Sequence, residues 1–183
     1  MSYQIFSIKN LSISIENILL FSDFSASIYS NNKICIIGRN GSGKTTLLKS
    51  LAGNFSDYNG DIIKSKNISS VYIKQTLNIE TKSCGEHLFQ KLWESFRSVP
   101  NLILLDEPTN HLDEHNRNQL DNLIDKYQGC IIAVSHDEDF IQKHFDIILQ
   151  IRYGHIEVFK GKYLNLIRED SLKISTMDRK CNK

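Results

Sequence analysis

GRNGSGKT, residues 38–45, sets two glycines, a lysine and a hydroxyl residue at the spacing G-x-x-x-x-G-K-[ST]. A stretch of this kind can wrap a phosphate chain. Its glycines let backbone N–H groups turn inward, and the following helix N-terminus attracts negative charge. Lys44 is expected to reach the β- and γ-phosphates, and Thr45 to set its hydroxyl on Mg²⁺. Two other stretches can complete such chemistry. LILLDE, 102–107, ends an apolar run in Asp106 and Glu107. One carboxylate can hold a metal, and the next can polarise an attacking water. AVSHD, 133–137, ends a second apolar run in His136. Each stretch also has a plainer reading: a turn with a chance lysine, a strand ending in solvated acids, an ordinary strand-end histidine. Three such ends in this order within one short chain favour chemistry over chance.

These groups need elements to hold them. YQIFSI, FSASIY and KICIIG alternate or run apolar and are predicted as strands. From Gly43 the pattern turns helical, with Leu47, Leu48 and Leu51 on one side and Gly53 as its stop. DYNGDIIK is predicted as a turn into a strand and SSVYIKQ as another strand. EHLFQKLWESF sets Leu88, Leu92, Trp93 and Phe96 at helical spacing, and Trp93 is assigned to the core. NLILLDE and CIIAVSH suit strands buried on both faces. RNQLDNLIDKY and DFIQKHF are predicted helices, and DIILQIRYGHIEVF a hairpin turned at YGH. A partly amphipathic helix is predicted from Tyr163 to Lys183. Strands alternating with helices make the fold class α/β. In such sheets ligands bind at the carboxyl ends of strands, where Asp106, Glu107 and His136 lie.

Composition bounds the possibilities. The 183 residues, 40% of them hydrophobic, suit one compact domain. A formal net charge of +1 gives no broad field to recruit nucleic acid or a membrane. Cys35, Cys84, Cys130 and Cys181 form no CxxC pair, which favours a reducing compartment over a disulfide framework or a zinc site. No apolar run nears the roughly 20 residues that span a bilayer. MSYQIFSIKN lacks the basic-then-apolar order of a secretion signal. A cytoplasmic location is expected.

Taken together, GRNGSGKT, LILLDEPTNHLD and AVSHD resemble the nucleotide-binding domain of the ATP-binding-cassette (ABC) superfamily. DEPTNHLD, SHD and FKGKY at 159–163 are most similar to the ABC-F branch, tandem-domain ATPases without a membrane part, many of which act on ribosomes. The resemblance runs from about Tyr3 to Gly161 and implies a P-loop NTPase core with an N-terminal antiparallel β subdomain. Residues 1–161 would form the nucleotide-binding domain and 162–183 a helical tail, the start of an interdomain linker. The resemblance also assigns roles. Gly38, Arg39, Asn40, Gly41, Ser42, Gly43, Lys44, Thr45 and Thr46 would hold the phosphates. Gln75 would be the Q-loop glutamine that contacts Mg²⁺ and senses the γ-phosphate, alongside Thr45 and Asp106 as metal groups. Glu107 would be the general base, His136 the switch histidine and Asp113 the D-loop aspartate. Asp113 also suits a helix N-cap before EHNRNQL.

Three departures from the family pattern stand out. The signature loop corresponds to KSCGE, 82–86, where Ser83 and Gly85 match and Cys84 replaces glycine. Only TLNIET separates Gln75 from Lys82, so the helical subdomain is strongly shortened, which disfavours a transporter subunit with a membrane partner. Ile15 takes the place of the aromatic residue that stacks on adenine, leaving the choice between ATP and GTP open. Tyr3, Phe6, Phe21 and Phe24 are assigned to the core. The resemblance therefore implies Mg·ATP hydrolysis in a sandwich formed with a second domain, as homodimer or heterodimer. The basic tail (Arg168, Lys173, Arg179, Lys180, Lys183) suits either RNA contact or a solvated helix face. A transporter ATPase subunit and a nucleotide-dependent interaction module with little turnover are the competing functions.

Overall fold

The computed structural model describes residues 2–74 and 83–181, with side chains over 2–74 and 88–172. Along the chain the elements are β1 (Gln4–Ile15), β2 (Ile18–Tyr29), β3 (Lys33–Gly38), α1 (Lys44–Ala52), β4 (Tyr58–Lys64), β5 (Ser70–Ile73), α2 (Ser83–Arg97), β6 (Leu102–Asp106), α3 (Glu114–Lys126), β7 (Cys130–Val134), α4 (Glu138–His144), β8 (Ile147–Arg152), β9 (His155–Lys160) and α5 (Tyr163–Cys181).

Two sheets carry these strands. An antiparallel sheet has the order β2-β1-β4, and a six-stranded sheet has the order β5-β6-β7-β3-β8-β9. The first five strands of the larger sheet run parallel, and β9 returns antiparallel on β8. Every residue of β6 and β7 is buried. Their unbroken apolar runs follow from that burial, because helices cover both faces of a parallel sheet. One face packs with α1 and the antiparallel sheet through Ile36, Leu47, Leu104 and Ile132. The other packs with α2, α3 and α4 through Ile103, Leu105, Ala133, Leu120 and Phe140. Leu166 brings the start of α5 into the same cluster.

β1 and β2 are each 12 residues long, twice the predicted strands. Irregular register between Ile8 and Leu11 hides their alternation, with Asn10 and Asp23 at positive φ. The predicted stop of α1 at Gly53 is met by a left-handed C-cap whose N–H reaches Ser50 O and Lys49 O. YGH turns the β8–β9 hairpin through Tyr153 and Gly154, both at positive φ.

Two core assignments are overturned. Trp93 is 42% exposed, with the Arg97 guanidinium 4.9 Å from its ring centroid. Leu88, Leu92 and Phe96 form the buried stripe of α2 at four-residue intervals, and Trp93 lies about 100° off it. Tyr3 is 46% exposed and its hydroxyl accepts from Asn101 Nδ2 at 2.8 Å, a polar anchor at the sheet edge. Phe6, Phe21 and Phe24 are buried as predicted.

Candidate functional site

The turn between β3 and α1 is residues 39–43, and the glycines at the end of β3 and at the end of the turn are ones no other residue replaces easily. Gly38 has φ 154°, and a Cβ there would meet Ser42 Oγ at 2.7 Å and the Ile151 carbonyl at 2.8 Å. Gly43 caps α1 at φ 100°, tight against Leu20. The loop is closed from inside by Lys44, whose Nζ donates to the carbonyls of Gly38 at 2.9 Å and Arg39 at 3.0 Å. Burial lowers the Lys44 pKa, and the Glu107 and Asp106 carboxylates oppose that shift.

The acids arrive from β6. Asp106 ends that strand, 5% exposed, and accepts from Thr45 Oγ1 at 3.1 Å through Oδ1 and from Tyr72 OH at 3.4 Å through Oδ2. Burial raises its pKa, and the two hydroxyl donors hold it back. Glu107 follows at φ 50°, a left-handed conformation that costs a non-glycine residue about 1–3 kcal/mol. Its N–H donates to Val134 O at 2.9 Å, tying the end of β6 to the end of β7. Its carboxylate is 3.2 Å from His136 Nε2, just past β7. Burial raises the Glu107 pKa, while His136 and Lys44 pull it down. A carboxylate so placed is a stronger base than a solvated one.

A cleft of about 660 Å³ collects these groups, with Asp106 set behind Thr45 outside its lining. Asn40, Gly41, Gly43, Lys44, Thr45 and Thr46 line it from the loop, Glu107 and His136 from the strand ends, and Ile15 from the β1–β2 hairpin. Gly38, Arg39 and Ser42 face a neighbouring cleft with Gln150–Gly154. Asp113 caps α3, accepting from Asn116 N at 2.8 Å. Gln75 lies outside the described residues. Ser83, Cys84 and Gly85 form the first turn of α2.

Residues 21–97 match the family model described as ABC transporter. The erythromycin resistance ATP-binding protein MsrA of Staphylococcus epidermidis is 35% identical over 157 residues, which cover 74% of this chain and 32% of that protein. The ATP-binding protein Uup of Buchnera aphidicola (Schizaphis graminum strain) is 32% identical, covering 85% of the chain and 35% of that protein. ABC transporter F family member 5 of Arabidopsis thaliana is 28% identical, covering 93% of the chain and 31% of that protein. The chain thus spans about a third of the length of these relatives. The solved ATP-binding subunit of an ABC transporter superposes with a TM-score of 0.69 at 16% identity, covering 98% of this chain and 100% of that one. This chain carries an ABC-superfamily nucleotide-binding domain, and its resemblance is to the ABC-F branch.

Five lining or supporting residues of this ABC domain escape a reading of the sequence, Glu16 among them. Tyr72 reaches Asp106 from β5, and Asn110 lines the cleft from the turn after Glu107. Ile18 and Leu20 join Ile15 at the far end of the cleft. Tyr72 stands in a short strand with no motif of its own. Ile18 and Leu20 sit beyond a hairpin turn whose register only pairing reveals. Asn110 had a signal, since it stands within DEPTNHLD.

The cleft suits a hard divalent cation. Thr45 and Asp106 offer a hydroxyl and a carboxylate oxygen 3.1 Å apart. Among the described residues no group of three or more His, Cys, Asp or Glu could cage a metal. Mg²⁺ suits such a sparse set, because it binds through one or two protein oxygens and takes substrate phosphates and water for the rest.

Proposed function

We propose that the domain binds and hydrolyses ATP with Mg²⁺ as an ATPase of ABC-F character. The contact that carries the reading is Glu107 with His136 at 3.2 Å, beside a lysine-bearing phosphate loop. Lys44 and the loop amides bind the β- and γ-phosphates. Thr45 and Asp106, with Gln75, hold Mg²⁺, which neutralises developing phosphate charge when bound. Glu107 orients the attacking water and accepts its proton at a carboxylate oxygen. His136 steadies Glu107 and the γ-phosphate end. Ser83 and Gly85, at the start of α2, would face the nucleotide of a second domain in a sandwich, as homodimer or heterodimer.

Relatives support the finer reading. One is an erythromycin resistance ATP-binding protein, and another, from Bacillus subtilis, is the ribosome protection protein VmlR, 28% identical over 98% of this chain. These two names support the proposal of a ribosome-associated role in translation or antibiotic resistance, in the cytoplasm. It is compatible with the finding that no helix among the described residues is long and apolar enough to cross a membrane.

The test is phosphate release from Mg·ATP, with nucleotide binding measured separately. Glu107→Gln is expected to bind ATP and lose roughly 10²–10⁴-fold in turnover. Wild-type hydrolysis by that variant would overturn Glu107 as the base.

A further inference from the structure

The two ends of the cleft differ in kind. Lys44, Thr45, Glu107 and His136 make a charged end. Ile15, Glu16, Ile18 and Leu20 make the other, all from the hairpin of β1 and β2, with Ile15 paired to Ile18 across the turn. The proposed function anchors a triphosphate at the charged end. The nucleobase then lies at the hairpin end, and the volume of about 660 Å³ suits a ligand of that size.

What this end offers a base is unusual. Its surfaces are aliphatic: Ile15 is 41% exposed and Ile18 66%. Aliphatic groups cover either purine face with equal indifference and lack the ring quadrupole of an aromatic platform. Selection therefore passes to groups that reach a base edge. Among the described residues Glu16 is the one charged side chain lining that end, exposed at the hairpin tip, where Glu16 and Asn17 both adopt positive φ. An ionised carboxylate only accepts hydrogen bonds. Guanine presents two adjacent donors on one edge, N1–H and the N2 amine, which a carboxylate takes in pairs. Adenine presents an N6 donor beside the N1 lone pair, and that lone pair repels a carboxylate oxygen.

We propose that Glu16 and the aliphatic wall of Ile15 and Ile18 make guanine the preferred base of this site, so that GTP binds at least as well as ATP. The inference rests on the nucleotide reading above and deepens it. Because Glu16 is exposed, water competes for its hydrogen bonds, and the preference is modest, about three- to tenfold.

Displacement of a fluorescent N-methylanthraniloyl-ATP probe from the full chain by ATP, GTP and ITP, with Mg²⁺, tests it. GTP is expected to displace the probe at about three- to tenfold lower concentration than ATP. ITP keeps N1–H but lacks the N2 amine, and is expected to fall between them. Glu16→Gln supplies an amide that pairs with adenine N1 and N6 as well as with guanine O6 and N1–H, and should bring the two nucleotides to similar affinity. Ile15→Tyr should tighten both nucleotides and leave their order unchanged, because stacking is tolerant of base identity. Tighter binding of ATP than of GTP by the wild type overturns this inference and leaves the nucleotide reading standing. An unchanged GTP:ATP ratio in Glu16→Gln also overturns it. Failure of every triphosphate to bind overturns both.

Discussion

At the scale of single residues, the site depends on how buried acids are kept charged. Burial pushes Asp106 toward its protonated form, and hydrogen bonds from Thr45 and Tyr72 restrain it. The Tyr72 hydroxyl is a dependable donor, since burial beside Asp106 pushes its pKa up to about 12. Tyr72 touches no phosphate-loop residue through its hydroxyl, so its part is to aim and charge Asp106. Tyr72→Phe removes that donor and leaves the ring. The Mg²⁺ concentration for half-maximal ATP hydrolysis is expected to rise about three- to tenfold, at the low end of outer-shell effects because the bond is long. Turnover at saturating Mg²⁺ should hold. A purely structural tyrosine would instead lower the melting temperature and leave the Mg²⁺ dependence where it was. The charged residues of the site were legible from sequence because their types and order are constrained by phosphate chemistry. Tyr72 was not, because a hydroxyl on one strand says nothing of the carboxylate on the next.

At the scale of elements, the strands that carry chemistry were the legible ones. LILLD and CIIAV are buried throughout, so apolar runs followed by acid or histidine mark both their type and their end. β1 and β2 were half-read because bulges break the period on which a strand prediction rests. The α3–α4 pair shows a device that no periodicity reveals. His144, fully buried in its side chain, faces Asp121 at 2.7 Å through Nε2 and Asp125 at 3.1 Å through Nδ1. Lys143 Nζ lies 2.6 Å from the other Asp121 oxygen. Burial alone would raise the Asp121 pKa, but the Lys143 and His144 bonds win and lower it. A carboxylate whose folded pKa is depressed contributes stability above its unfolded value, near 3.9, and loses it as pH falls through the folded value. Asp121→Asn leaves His144 facing one carboxylate fewer. It is expected to cost about 3 kcal/mol at neutral pH, a melting temperature lower by about 6–12 °C. The gap from wild type should close under acid, below the ordinary aspartate range. A gap independent of pH would assign the loss to packing instead.

At the scale of the whole molecule, the phosphate loop and the first turn of α2 are separate features of one chain, and the proposed sandwich joins one to the other across two domains. Lys44, Thr45, Glu107 and His136 share a single cleft. In the proposed sandwich, a second domain brings its own α2 N-terminus to the γ-phosphate. Cys84 stands in that turn, at the position where the resemblance to the family's signature loop implies glycine. Side-chain bulk at the first turn of a helix is set against close approach of a phosphate to the backbone amides. Glu107→Gln should slow hydrolysis enough to hold ATP in place, so assembly can be read at equilibrium. Light scattering on a sizing column is expected to show a doubled mass for Glu107→Gln with Mg·ATP and a single mass without it. Cys84→Gly in the same background should lower the protein concentration at which the doubled species forms. A single mass with ATP bound, in both variants, would sink the self-sandwich and assign the second half of the site to a different domain.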